Sequence, residues 1–395
     1  MKRLHIIYTI ALAAATMTMS AQSAFDNVVS EILSNNPALA ARRASAEAER
    51  LNLKAENNLS DPEVEFEHQW GQREVGNKWS ISVSQSFDWP GVYRSRAKAS
   101  DAQAQAFKLL YLAEESDLRM RVGATLADYI AARNQLALAK EISDNLSTIA
   151  DKITMAYEHG EATILDRRKI DFERIEAANK LDAASSLVES LKYELLTLNG
   201  GNYINLDNLT AFPPMALKSE EYYLERHESF DPALLADTYL TEAARQSVSA
   251  ASRSALPGFS VGYIHNVELG DHFNGLKVGV TLPFFSTRHR KAAAVEEARA
   301  RALDADQTAL AIHNRVLADY AKARVLANRL SEYNNLFPDG QASDYLDLLR
   351  KSYEGGQMSL IVYLYEINYY TEARSRLIDL QLDHTTTLLS LSRFD

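Results

Sequence analysis

Cysteine is absent from all 395 residues. No disulfide can staple the fold, no thiolate can bind a metal or act as nucleophile, and no lipid can be attached to an N-terminal cysteine. Long apolar runs are missing too. Beyond the first residues no stretch reaches about 18 uninterrupted apolar residues, which excludes a helical membrane span but not a β-barrel, whose strands alternate. Positive charge is in deficit: 42 Lys and Arg against 53 Asp and Glu give a net charge of -11, which argues against nucleic acid or an anionic membrane surface as partner. Catalytic signatures are lacking. The nine His are scattered, without a His-Glu-x-x-His pattern, and neither a Gly-x-Ser-x-Gly elbow nor a phosphate loop occurs. The chain reads as no enzyme, with no metal site and no cofactor.

The N-terminus reads as an export signal over 1–21. Lys2 and Arg3 supply the positive region, His5 to Ala15 the short apolar stretch, and Met19-Ser20-Ala21-Gln22 a small-residue cleavage site.

What is present is an order of signals stated twice. Asn36-Pro37-Ala38-Leu39 returns as Asp231-Pro232-Ala233-Leu234, Asp61-Pro62 as Leu256-Pro257, and Ser84-Gln85-Ser86-Phe87 as Thr281-Leu282-Pro283-Phe284. Ala156-Tyr157-Glu158-His159-Gly160 returns as Ser352-Tyr353-Glu354-Gly355-Gly356. The offset stays between 195 and 197 residues, which implies one ancestral unit duplicated. The first repeat covers 22–198 and the second 231–395, with a linker over 199–230 that is irregular around Pro213-Pro214.

Within each repeat the hydrophobic period changes. Val64, Phe66 and His68 alternate with Glu63, Glu65 and Glu67; Trp79, Ile81, Val83, Gln85 and Phe87 alternate with Ser80, Ser82 and Ser84. This predicts a hairpin over 63–87 with one apolar and one polar face. The second hairpin, over 258–284, sets Phe259, Val261, Tyr263 and His265, then Leu276, Val278 and Val280, against Lys277, Gly279 and Thr281. After each hairpin comes a helical pattern of unusual length, 91–157 and 287–354, followed by return helices over 163–198 and 359–393. Ile142, Leu146, Ile149, Ile153 and Tyr157 form a coiled-coil-like seam. Asn334 to Gly340, with Pro338, predicts a kink in the second long helix.

Four candidate membrane strands per chain are too few. The smallest membrane barrels have about 8. Open edges cannot sit in lipid, so strands must combine across chains in a closed cyclic oligomer.

Taken in order and twice over, these motifs give a chain that resembles the TolC-like family of outer-membrane efflux proteins. The match rests on the Asn-Pro-Ala-Leu opening, Gln85-Ser86-Phe87 and Leu282-Pro283-Phe284 before each long helix, and the turns at Tyr157 and Tyr353. It covers about residues 25–394. The resemblance implies a mainly α fold with a small β part: a homotrimer with a 12-stranded β-barrel in the outer membrane, joined to a periplasmic α-helical barrel. It further implies a periplasmic membrane-fusion adaptor and an inner-membrane efflux transporter of the RND type as partners, with outer-membrane lipid around the barrel.

Candidate site residues follow. Glu63, Glu65, Glu67, Ser80, Ser82, Ser84, Lys277 and Thr281 are the expected pore lining, where three carboxylates either favour cations or belong to an ordinary hydrated lumen. Trp70, Trp79 and Tyr263 are the expected membrane-interface aromatics; Trp89, before Pro90, suits a barrel-to-helix junction. The turns Gly160, Glu161, Gly355 and Gly356 are where the resemblance places adaptor docking, the glycines serving as helix caps with positive φ. For the periplasmic gate the resemblance points to Asp166, Val362, Tyr365 and Glu366. Where the family pattern has carboxylates, Val362 and Tyr365 stand here, which leaves two readings of the constriction, bulk at Tyr365 or charge at Glu366.

Three functions remain open from sequence. The first is a passive exit duct of a tripartite efflux pump for small solutes; the acidic strand and short chain lean toward metal cations. The second is the outer-membrane channel of type I protein secretion. The third is a soluble periplasmic coiled-coil scaffold, against which the alternation of all four strands speaks.

Overall fold

The computed structural model describes residues 22–73, 76–285, 287–336 and 342–395. The expected signal segment 1–21 and Phe337, Pro338, Asp339 and Gly340 of the expected kink lie outside them. The chain forms two compact units. One gathers the chain up to Leu39, Glu115–His227 and His313–Asp395; the other gathers Ala40–Glu114 and Glu228–Ile312.

Elements follow the duplicated order. Helix α1 (22–35) precedes α2 (Pro37–Ala55), β1 (Glu63–Gln69), β2 (Lys78–Phe87), α3 (Pro90–Glu158) and α4 (Ile164–Leu198). After an irregular stretch come α5 (Glu220–Phe230), α6 (Pro232–Arg253), β3 (Gly258–Glu268), β4 (Asp271–Thr281), α7 (Arg290–Leu336), α8 (Ala342–Glu354) and α9 (Leu360–Leu391). The stretch read as a linker thus ends in helix α5. With 69 residues, α3 is about 100 Å long at 1.5 Å per residue.

The repeated motifs are repeated devices. Asn36 accepts from the Leu39 amide as α2 opens at Pro37, and Asp231 accepts from the Ala233 amide as α6 opens at Pro232. A side-chain oxygen followed by proline is a favourable helix start, because proline gives up only an amide that would be orphaned anyway. Pro62 and Pro257 each stand one residue before a strand. The two repeats part at the strand ends: β2 reaches Phe87 but β4 stops at Thr281, so Leu282 and Phe284 fall beyond it. Pro283 has no amide to continue the ladder.

In the unit holding the sheet, the four strands form one antiparallel meander in the order β1-β2-β3-β4, which leaves β1 and β4 as edges. The β3–β4 turn is Leu269-Gly270, both at positive φ (55° and 92°), as a two-residue type I′ hairpin requires.

In the helical unit, α3, α4, α8 and α9 share a core. Ile142, Leu146, Ile149 and Ile153 of the predicted seam are buried there with Ile170, Leu346, Leu349, Tyr363, Ile367 and Tyr370. Burial of this kind supplies about 1.5–3 kcal/mol per large apolar side chain, against helices whose own propensity is modest. On α4 the apolar residues divide: Ile170 and Leu195 are buried, while Ile175 and Leu187 are exposed with Leu165, Phe172 and Tyr193.

Candidate functional site

The sheet carries two chemically opposite faces. Strand pairing aligns Glu63 with Ser84, Gly262 and Lys277, Glu65 with Ser82, Ile264 and Gly275, and Glu67 with Ser80, Asn266 and Phe273. Thr281 continues this face at the start of β3, opposite Gly258. The predicted lining residues therefore share one face, and Lys277 Nζ stands 3.9 Å from Glu65 Oε2 across it. At the hairpin tips Lys78 pairs with Glu268 at 3.1 Å. Ile264 and Phe273 also belong to this face, an apolar interruption that period counting missed.

The sequence reading placed Gly279 on this face, but not the recurrence of glycine along it. Gly258, Gly262, Gly275 and Gly279, the glycines within β3 and β4, all stand on the polar side by register. A Cβ on Gly262 would lie 2.6 Å from the Val83 carbonyl oxygen and 2.9 Å from Ser84 Cβ, and one on Gly279 would collide with Ser260 Oγ. A curving sheet crowds the side chains on its inner side, and glycine relieves that crowding. The glycines on the polar face leave the room that curvature toward that face would need.

The other face is apolar and uncovered. Val64, Phe66, Ile81, Val83, Val261, Leu276, Val278 and Val280 are all exposed, Leu276 by 83%. A water-soluble protein seldom leaves so large a patch open. Trp70 is 81% exposed just past β1, and Trp79 lies near the tip between Phe66 and His265, at ring distances of 6.2 and 5.6 Å. Tyr263 stands at mid-strand, level with Val83 and Leu276, its hydroxyl donating to Asn274 Oδ1. Trp89 rests on Phe259 at the base of the strands, 5.7 Å between rings.

In the helical unit the two turns are built alike. The Gly160 amide donates to Tyr157 O and the Glu161 amide to Ala156 O; the Gly356 amide donates to Tyr353 O and the Gln357 amide to Ser352 O. This pair of bonds is the Schellman motif, which needs a left-handed residue at its centre. Gly160 (φ 77°) and Gly356 (φ 70°) supply it. Gly355 corrects the expectation that all three glycines are left-handed. Its φ is not positive, and its amide bonds Lys351 O one residue past the end of α8, the place His159 holds after α3 in the first turn.

The return helices start differently. Thr163 and Asp166 form a reciprocal capping box at α4. Ser359 caps α9 through the Val362 amide, but Val362, at the position equivalent to Asp166, has no carboxylate to return the bond. Val362, Tyr365 and Tyr369 line one exposed face of α9, while Tyr363 and Tyr370 point into the core. Burial pushes both core hydroxyls up to about 12. Tyr363 donates to Asn145 Oδ1. Glu366 is half-buried and accepts from the Tyr345 hydroxyl at 3.0 Å; burial first, then that bond, raises the Tyr345 pKa. Lys152 on α3 bonds Glu354 on α8 and holds that carboxylate below its ordinary value. Arg167 does not stand free in solvent: its guanidinium lies over the Tyr157 ring at 5.2 Å.

Among the described residues no group of three His, Cys, Asp or Glu could hold a metal, and no helix is long and apolar enough to cross a membrane. No family model matches the sequence, and no curated protein matches it. Solved structures do. The outer-membrane channel OprN is similar at a TM-score of 0.79 and 15% identity, over 95% of this chain and 90% of that one. A membrane protein from Pseudomonas aeruginosa is similar at 0.78 and 17%, over 94% and 92%. The MtrE outer-membrane channel of Neisseria gonorrhoeae, in its open state, is similar at 0.76 and 15%, over 93% and 88%. At such identities the likeness is one of fold, and it runs nearly end to end: this chain has the fold of these outer-membrane channels, the fold that its resemblance to the TolC-like family implied.

Proposed function

We propose that this protein is the outer-membrane channel of a tripartite efflux pump, a passive exit duct that does no chemistry of its own. The observation that carries this reading is the sheet: a polar, glycine-bearing inner face backed by an exposed apolar outer face, on four strands with two free edges. Lipid would cover the outer face, and backbone groups at a free edge cannot be left unpaired in lipid. Three copies give 12 strands and a closed barrel, with β1 of one copy pairing β4 of the next. The sheet unit then lies in the outer membrane and the helical unit in the periplasm. Exposed Leu165, Phe172 and Tyr193 on α4 would be covered by neighbouring copies in the same trimer.

The lumen would be lined by Glu63, Glu65, Glu67, Ser80, Ser82, Ser84, Lys277 and Thr281, with Trp70 and Trp79 near the outer membrane interface and Tyr263 deeper in the wall. Carboxylates outnumber ammonium groups on that face, which favours cationic solutes, metal cations included. The turns at Gly160, Glu161, Gly355 and Gly356 would receive the periplasmic adaptor, which links the duct to an inner-membrane transporter of the RND type. Val362 and Tyr365 would narrow the resting pore, with Asp166 and Glu366 serving helix caps and packing.

Purified protein in mild detergent is expected to have the mass of three chains and to give discrete single-channel currents in planar bilayers. A monodisperse monomer with its β signal intact would overturn the reading.

A further inference from the structure

We propose that His265 and His272 form a two-histidine site for a divalent transition-metal ion of the zinc class, on the apolar face near the tip of the second hairpin. His265 Nε2 and His272 Nδ1 face each other at 3.4 Å. A metal about 2.0–2.1 Å from each of two tetrahedral ligands sets them about 3.3–3.4 Å apart, so the spacing of the two nitrogens suits one shared ion after a small turn of the rings.

The pairing is a product of register. His265 is aligned with Asn274 and Val267 with His272, so the two imidazoles are diagonal neighbours on the same face. The tight Leu269-Gly270 turn fixes that register. The rings lie nearly parallel, 27° between planes. His265 is further held by Trp79, which leans on it from β2 at 5.6 Å.

The supporting contacts suit a ligand. His265 Nδ1 donates to Asn274 Oδ1 at 2.8 Å, and the same oxygen accepts the Tyr263 hydroxyl at 2.5 Å. A proton held on Nδ1 leaves the Nε2 lone pair free and directed at His272. Outer partners of this kind orient metal-binding imidazoles and raise their basicity. His272 is exposed and His265 half-buried, so the ion has an entry path and its remaining positions stay open to water or a lipid headgroup. On the proposed reading the apolar face looks away from the lumen, which makes this a site on the wall and not on the path of the cargo.

The test uses untagged full-length protein in detergent. Titration with Zn²⁺, followed by calorimetry, is expected to show one ion per chain. His265→Ala and His272→Ala should each weaken binding at least tenfold, and Asn274→Ala about tenfold. His68→Ala, on the same face but outside the pair, should leave it unchanged. Cu²⁺ electron paramagnetic resonance should show two coordinated nitrogens in the native protein and one in either histidine variant. Absence of saturable Zn²⁺ binding, or binding that survives both histidine substitutions, would overturn the site. Single-channel currents measured on the same samples separate the two proposals: intact currents without Zn²⁺ binding sink the site alone, and Zn²⁺ binding without currents sinks the duct alone.

Discussion

The Lys277 ammonium meets the Glu65 carboxylate at 3.9 Å although their strands, β4 and β1, are the two edges of the sheet. In a flat sheet the two strands would lie about 14 Å apart, three strand spacings. The two long side chains reach each other over Gly262, which is aligned with Lys277 and puts no side chain in the way. An exposed ion pair of this length contributes little stability. Its value is as a marker of the face toward which the proposed barrel would curve.

Curvature should therefore be breakable at single atoms. Gly262→Val places carbon against the Val83 carbonyl and Ser84 Cβ, neither of which can yield without moving backbone. Overpacking of this sort costs about 1–3 kcal/mol and would oppose closure of the proposed barrel. Outer-membrane yield should fall several-fold. Gly279→Ala should be milder, since it strikes the Ser260 hydroxyl, and Ser260→Gly should restore it. Equal yields for Gly262→Val and native protein would show that the sheet does not bend where the glycines stand.

The two faces make a second contrast between adjacent residues. Val83 is exposed on the apolar face, and Ser82 opposes Glu65 on the polar one. On the proposed reading Val83→Lys puts an ammonium against lipid at a cost of about 2–4 kcal/mol near the midplane. A lysine at position 82 would find Glu65 beside it. Quantifying assembled protein in outer-membrane fractions checks this: Val83→Lys should assemble poorly and Ser82→Lys nearly as well as native protein.

Much of this architecture was legible from particular residues. Alternation from Val64 to Phe87 located both strands and their faces, because one uncovered apolar face forces a strict period of two. The seam Ile142, Leu146, Ile149 and Ile153 located the helical core for the matching reason. Tertiary spacing was not legible. Nothing in the period distinguishes Tyr363 and Tyr370, which are buried, from Tyr365 and Tyr369, which are exposed, until the phase of α9 against α3 and α8 is known. Gly355 looks like Gly356 in sequence, yet only the Schellman geometry shows which of them needs a positive φ. The His265–His272 pair depends on a diagonal across a hairpin whose register no single strand reveals.

A third prediction concerns acid. His384 on α9 is half-buried, and Nε2 lacks a hydrogen-bond partner. Burial lowers its pKa below the ordinary value near 6.5. The unfolded chain then binds a proton more readily than the folded one, so stability is full above that value and is lost as pH falls below it. Asp128 and Glu141, raised by burial, act in the opposite direction but nearer the carboxylate range. Between pH 7.5 and 5.5 the thermal midpoint should drop, and His384→Gln should drop less. Parallel curves for the two proteins would remove His384 from the account.

The last prediction concerns closure. Charge has little to offer on the exposed face of α9 near its start, which carries Val362, Tyr365 and Tyr369, while the nearby Glu366 carboxylate is engaged by Tyr345. In the proposed trimer, repeated three times around a narrow tube, these side chains can occlude it by bulk. Tyr365→Ala removes a ring that is 69% exposed and leaves the core tyrosines untouched, so helix packing should survive while single-channel conductance rises several-fold. Glu366→Gln keeps an acceptor for the Tyr345 hydroxyl and should change cation selectivity only slightly. Divalent cations and moderate acid should likewise leave the closed level unchanged. If instead Glu366→Gln opens the pore and Tyr365→Ala is silent, closure is electrostatic. If both variants lose trimer mass without any change in conductance, Tyr365 packs between copies and the constriction lies elsewhere.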